Sequence, residues 1–323
     1  DITAQQLPPH RHWLEQSFLY PIILSMFGDW VGKSSFLVMT TLNLLINLSL
    51  IYFVIRSLSE KYIIILVVFL TFGISNTLRY WIGYSDPTIV LLSTFLSLFL
   101  SSNFKGYWIY FGVVIGFLSA IAHPQQSLII FFICSFLFAN KQNFTKLAIL
   151  FSPILLGIFV QDMYFYFFDF NGTNRLDYIS ENNLIESVGT RITAEPYKLL
   201  LGVFGGASLV LAFIYNSINI SKDFLLRISV SALVAFLIGT LVQDTTRVIT
   251  ILLWPSVIFF IIRSNDKKLK KNKCLNIILA LAIMASILLP AFHYWDKTYY
   301  NLKLNDYFYD GLGHILKLIF KLL

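Results

Sequence analysis

Apolar residues run along this chain in blocks, not stripes. From residue 35 onward, stretches of mostly apolar residues alternate with short polar joints. Each is close to the length of about 20 residues that a helix needs to cross the hydrocarbon core. A soluble amphipathic helix would confine its apolar residues to one face. A barrel strand would alternate residue by residue. The blocks therefore predict an all-α, polytopic membrane helix bundle of about ten spans, since helices and closed barrels are what a bilayer core admits. The spans are expected at 35–56, 61–78, 86–103, 106–122, 124–140, 146–167, 197–215, 223–242, 247–263 and 274–293. The pair 106–122 and 124–140 is split by "AHPQQ" (Ala122–Gln126) and has an alternative reading as a re-entrant hairpin.

Residues 1–323 read as a single transmembrane domain with outer loops at 1–34 and 168–196 and an outer tail at 294–323. The first loop contains "HWLEQSFLYPIILSMFGDW" (His12–Trp30), too interrupted to span and expected to lie in the interface. The tail "GLGHILKLIFKLL" (Gly311–Leu323) places His314, Lys317 and Lys321 on one stripe, a second interfacial helix candidate. The chain opens at Asp1 without an apolar leader, so an upstream segment is expected, either a cleaved signal or a first helix.

Charge gives the blocks a direction. "RSNDKKLKKNK" (Arg263–Lys273) holds six Lys/Arg in eleven residues. The positive-inside rule makes that joint cytoplasmic. Alternation then puts Arg56–Lys61, Lys105, Lys141–Lys146 and Lys222–Arg227 on the same side. Of the 17 acids, only Glu60, Asp223 and Asp266 accompany them. The other acids and all 5 histidines fall at or beyond the opposite boundary. Chemistry, if present, is expected at the extracytoplasmic face of a multi-pass protein, and the abundance of Lys, Asn, Ile and Phe fits a bacterial inner membrane.

Composition agrees: 57% of residues are hydrophobic and 13% charged, against about 25% charged in soluble domains. Cys134 and Cys274 both fall in predicted spans, where they read as small apolar core residues, with no disulfide or thiolate metal site. No P-loop, HExxH, GxSxG, paired CxxC or dinucleotide fingerprint is present, which argues against an ATP-driven pump or a metalloprotease. No nucleic acid is expected as a partner.

Charges at span ends are the candidates for chemistry, because ionised groups near hydrocarbon are costly. In "GTLVQDTTRVITILLWP" (Gly239–Pro255), Asp244 and Arg247 open a span. Asp244 suits the positive end of a helix as a cap. Arg247 does not, and needs an anion: Asp244 at i,i+3, another acid, or a phosphate. "RYWIGYSDPTIVLL" (Arg79–Leu92) repeats the arrangement with Arg79, aromatics for sugar stacking, and Asp86 before Pro87. Asp-Pro is also simply a good helix start. His123 in "AHPQQ" reads as a base or ligand, or as a satisfied turn residue. Asp162 in "FVQDMYFYFFDF" (Phe159–Phe170) sits among aromatics of an interfacial belt. The loop acids Asp1, Glu15 and Asp29 are either solvated or catalytic. Arg175 and Arg191 belong to a loop that reads as a lid over a cleft.

Taken together, "FLYPIILSMFG" (Phe18–Gly28), "SDPTIVLLSTFLSLFL" (Ser85–Leu100), "GVVIGFLSAIAHPQQSLII" (Gly112–Ile130) and "QDTTRVITILLWPSV" (Gln243–Val257) resemble the polytopic glycosyltransferases of the GT-C type. The resemblance implies a polyprenyl-phosphate sugar as donor, drawn from the membrane lipid, and a glycan, lipid or protein acceptor. It implies an acid of the first outer loop as base, for which Asp1 and Asp29 are candidates alongside Glu15. Asp86 and Asp244 are further catalytic candidates. An Arg would hold the leaving phosphate, with Arg247 first and Arg79 or Arg191 next, and His123 and Asp162 would line the substrate site. A divalent metal between acid and phosphate is compatible with this chemistry but not required by it. A transporter or flippase, a glycan polymerase or ligase, and a non-catalytic scaffold subunit are the alternatives.

Overall fold

The computed structural model describes residues 45–46, 48–49, 52, 60–80, 86–101, 106–138, 144–167, 195–215, 221–242, 245–264, 274–295 and 298–301. The backbone alone is described at 60, 77, 79–80, 293–295 and 298–301. Eleven helices are numbered here: α1 (Glu60–Thr71), α2 (Gly73–Tyr80), α3 (Asp86–Ser101), α4 (Trp108–Ala122), α5 (Pro124–Phe138), α6 (Phe144–Phe167), α7 (Pro196–Phe204), α8 (Ala207–Tyr215), α9 (Lys222–Thr240), α10 (Thr245–Ile262) and α11 (Leu275–Leu288). They overlap nine of the ten predicted segments, with some ends about two residues outside the expected bounds. The tenth, 35–56, lies largely outside the described residues.

By length and composition, α6, α9 and α10 can each cross a membrane, and α7 with α8 makes a fourth crossing if that bent pair is one span. The chain is thus built as a membrane protein. Two expected spans are broken. At 61–78, α1 ends at Thr71, whose Oγ donates to Val67 O at 2.8 Å, and Ser75 Oγ donates back to Leu70 O at 2.9 Å. Such side-chain bonds draw carbonyls out of the helical ladder. At 197–215, α7 and α8 meet at 84°. Gly205 makes that corner with φ +47°, a conformation that a Cβ disfavours.

The last predicted span is also shorter than expected. Pro290 follows Leu289, which is held extended at ψ 145°, and α11 stops there. Beyond it, strands β1 (Phe292–Trp295) and β2 (Thr298–Asn301) pair antiparallel, with His293 opposite Tyr300. Their aromatic content suits strands. The expected tail helix at 311–323 and the first-loop helix lie outside the described residues.

Helix α10 is the centre of the bundle. Beyond its polar first turns it is apolar on nearly every side, and the helix is buried over 83% of its length. It packs against α1, α3, α5 and α9. Trp254 fills the middle, with its Nε1 donating to Thr94 Oγ on α3 at 2.8 Å. The Phe69 and Phe72 rings lie 5.5 and 6.0 Å from it. The contacts also fix direction. Asp86 meets Arg247 and Thr94 meets Trp254, so α3 and α10 run parallel. Helix α9 runs antiparallel to α10, with Ser231 beside Ser256 and Phe224 beside Phe259. Helix α4 is antiparallel to α3, since Ser119 reaches Thr88 while Phe111 meets Phe95.

Candidate functional site

One end of the bundle gathers buried polar side chains into a layer. Its centre is an ion pair between the N-terminal turns of two parallel helices. Arg247 Nε on α10 lies 3.5 Å from Asp86 Oδ2 on α3, with the side chains 13% and 2% exposed. Asp86 is suited to its position, because a carboxylate in a first turn meets the positive end of the helix. Arg247 is opposed by its own helix end, and among the described residues the anion beside it is Asp86. The separation exceeds that of a charge-assisted hydrogen bond of about 2.7–2.9 Å, so the contact is chiefly Coulombic.

The neighbours arrive by helix geometry. Ser119 Oγ donates to Thr88 O at 3.1 Å, tying the end of α4 to the start of α3. His123 is buried in the single-residue joint between α4 and α5. Its N–H donates to Ser119 O at 2.8 Å and its carbonyl accepts from Ser127 N–H at 3.0 Å. Pro124 then opens α5, where a missing N–H costs nothing. The joint is therefore a tight helix–helix turn of a kind that a re-entrant reading also allowed.

Helix α5 runs parallel to α10, and its Phe138 meets Phe259 with ring centroids 5.1 Å apart. Equal steps back along both helices bring Gln126 to the level of Arg247. Gln126 is buried. Helix α6 runs beside α4, with Gly157 close against Ala120 and Phe117. One further turn brings buried Gln161 to the level of His123. Thr245, Thr246 and Thr250 complete a hydroxyl-rich start to α10, all buried. Thr250 Oγ donates to Arg247 O at 2.8 Å.

Helix α7 and strand β1 close over this end. Gly202 is pressed between the Phe292 carbonyl and the Thr246 methyl, where a Cβ has no room. Lys198, one turn before it, pairs with Glu195 at 2.6 Å and lies over the Phe292 ring.

Of the residues singled out from sequence, Asp86, Arg247 and His123 come together at this end. Asp162 is at the same end but exposed, and its buried neighbour is Gln161. Arg79 lies on α2, with only its backbone described. Asp1, Asp29, Asp244 and Arg191 lie outside the described residues, as do Glu15 and Arg175. Gln126, Gln161 and the threonines of α10 were not singled out from sequence. Gln126 shares a helical stripe with Ile130, Ile133 and Leu137, all apolar, a spacing that marks it as facing the bundle. Among the described residues, no group of three or more His, Cys, Asp or Glu could hold a metal ion.

No family model matches the chain, and no curated protein or solved structure matches it either. Two parallel helices direct their positive ends toward one layer, and Arg247 adds a full charge that Asp86 offsets. Such a layer attracts anions.

Proposed function

We propose that this protein is a membrane glycosyltransferase that moves a sugar from a polyprenyl-phosphate donor to an acceptor hydroxyl at the extracytoplasmic face of a bacterial inner membrane. The proposal includes about ten membrane crossings, with the basic joints in the cytoplasm. The observation that carries it is the buried Asp86–Arg247 pair at the end of the bundle opposite Lys61, Arg227 and Arg263. An acceptor oxygen attacks the anomeric carbon, the bond from that carbon to the phosphate oxygen breaks, and the phosphate leaves with growing charge. Arg247, held in a low-dielectric layer by Asp86, stabilises that charge far better than a solvated Arg would. A carboxylate takes the acceptor proton, with the first-loop acids as its proposed source.

The test is a transfer assay in proteoliposomes with a fluorescent polyprenyl-phosphate sugar. Arg247→Lys keeps the charge opposite Asp86 but loses the planar fork. Its expected kcat/KM is down by about tenfold, and that of Arg247→Ala by about 10²–10³-fold. Wild-type turnover in a folded Arg247→Ala protein would sink the assigned role.

One observation favours a second reading. The α7/α8 corner of 84° is a broken helix of the kind that transporters use to form a site. Uptake of a polar substrate into proteoliposomes with no chemical change would favour a transporter or flippase.

A further inference from the structure

A groove of about 310 Å³ runs along the outside of the bundle between α5 and α9. Its walls are Ile129, Ile133 and Phe136 on one side and Val230, Val234 and Ile238 on the other. Phe132, also on the rim, is 58% exposed. Ser231 lines the groove too, but its hydroxyl donates to Arg227 O at 2.8 Å and bonds Ser256 at 2.9 Å. The groove is therefore an apolar slot open to the side of the bundle that faces hydrocarbon.

Its ends differ. The α9 wall follows helical spacing, and the next residue on that stripe is Arg227. The Arg227 guanidinium is fixed at the mouth. Its Nε donates to Asp223 at 2.9 and 3.0 Å, and one terminal nitrogen donates to Phe136 O and Leu137 O at 2.8 and 3.1 Å. Lys222 is exposed at the start of the same helix, about a turn before Arg227, and α9 presents its positive end here. This is the end of the bundle that holds the basic joints, with Lys146 and Arg263 on neighbouring helices and the Arg263–Lys273 run in the sequence. Asp223 neutralises one charge of this group, and the surroundings remain basic.

From this we infer that the groove binds one anionic phospholipid of the basic-side leaflet. An acyl chain lies between α5 and α9, and the phosphate sits at Lys222 and Arg227. The charge decides the occupant. A zwitterionic lipid fills the slot equally well but gains little from the cations, whereas an anionic headgroup gains at each one. The inference is independent of the glycosyltransferase reading, because the groove's cationic mouth is at the end of the bundle away from Asp86 and Arg247.

Native mass spectrometry of the full chain, released from nanodiscs of equimolar phosphatidylglycerol and phosphatidylcholine with matched acyl chains, tests it. One retained phosphatidylglycerol per chain is expected, favoured over phosphatidylcholine by about tenfold. Lys222→Gln should reduce that preference by about fivefold, the effect of one basic side chain near an anionic surface. Arg227→Gln should do at least as much, but Arg227 also holds the end of α5, so Lys222→Gln is the cleaner variant. Val234→Trp fills the slot and should abolish retention while leaving helicity by circular dichroism unchanged. Equal retention of the two lipids overturns the inference. So does retention that both Lys222→Gln and Val234→Trp leave unchanged, or a lipid-free dimer joined through this face. Displacement of phosphatidylglycerol by added polyprenyl phosphate at equal concentration overturns it as well, because the slot would then belong to the donor.

Discussion

A guanidinium in the first turn of a helix destabilises that helix unless an anion answers it. For Arg247 the answer comes from Asp86, on a helix far away in sequence. Removing one partner of a buried pair strands the other charge, at a cost of about 3–5 kcal/mol, whereas removing both costs much less. Asp86→Asn and Arg247→Gln should each lower the unfolding midpoint in detergent, and the double variant should be less destabilised than the two losses added together. Strict additivity in that cycle would mean that the pair contributes nothing through its contact. Both residues were legible in the sequence as charges at span ends, and Arg247 was legible as a cation in need of an anion. The identity of that anion was not. The nearest acid in sequence, Asp244, is the obvious local partner, and nothing in a linear pattern shows that α3 lies beside α10. Gln126 and Gln161 were missed for a related reason: a neutral amide at a span end looks like any boundary residue until packing buries it.

At the scale of elements, block patterning located the helices well because burial in hydrocarbon is a property of whole segments. It did not show where a segment bends. The Thr71–Ser75 break and the Gly205 corner depend on side-chain hydrogen bonds and one backbone angle, and both leave the mean hydropathy of the segment intact. Nor did it reveal the β1/β2 hairpin, which read as the end of a span followed by a tail. These irregular elements cover the polar layer, and Gly202 sets how closely they approach. Gly202→Val places a branched side chain against the Phe292 carbonyl and Thr246. Overpacking of this kind costs about 1–3 kcal/mol. Thermal denaturation in detergent should show that loss, with transfer or uptake activity falling as the cover is pushed off α10. An unchanged midpoint would show that the hairpin gives way freely.

At the scale of the molecule, the described basic residues at helix ends, Lys61, Lys146, Lys222, Arg227 and Arg263, collect at one end and the buried polar layer at the other. The proposed orientation makes a direct prediction. With Cys134 and Cys274 replaced by Ala, Asn272→Cys in the basic joint and Asn182→Cys in the 168–196 loop should react with a membrane-impermeant maleimide on opposite sides of the membrane. In intact spheroplasts, labelling of position 182 alone is expected. Labelling of position 272 alone would invert the topology and place the polar layer in the cytoplasm.

The parallel pairing of α3 with α10 also has a consequence for how the protein is made. As the chain emerges, α3 enters the bilayer many segments before its partner exists. During that interval the Asp86 carboxyl has no Arg247 beside it, and a carboxyl near hydrocarbon without its partner is costly. The nascent bundle therefore waits with an open slot until α10 enters and delivers both Trp254 and the guanidinium. A chain stopped after α9 should be cleared faster by membrane quality-control proteases than the full chain, as pulse-chase would measure. Asp86→Asn should lengthen the lifetime of that truncated chain while shortening that of the full one. In this protein α10 completes, on entering the core, an ionic contact that α3 began.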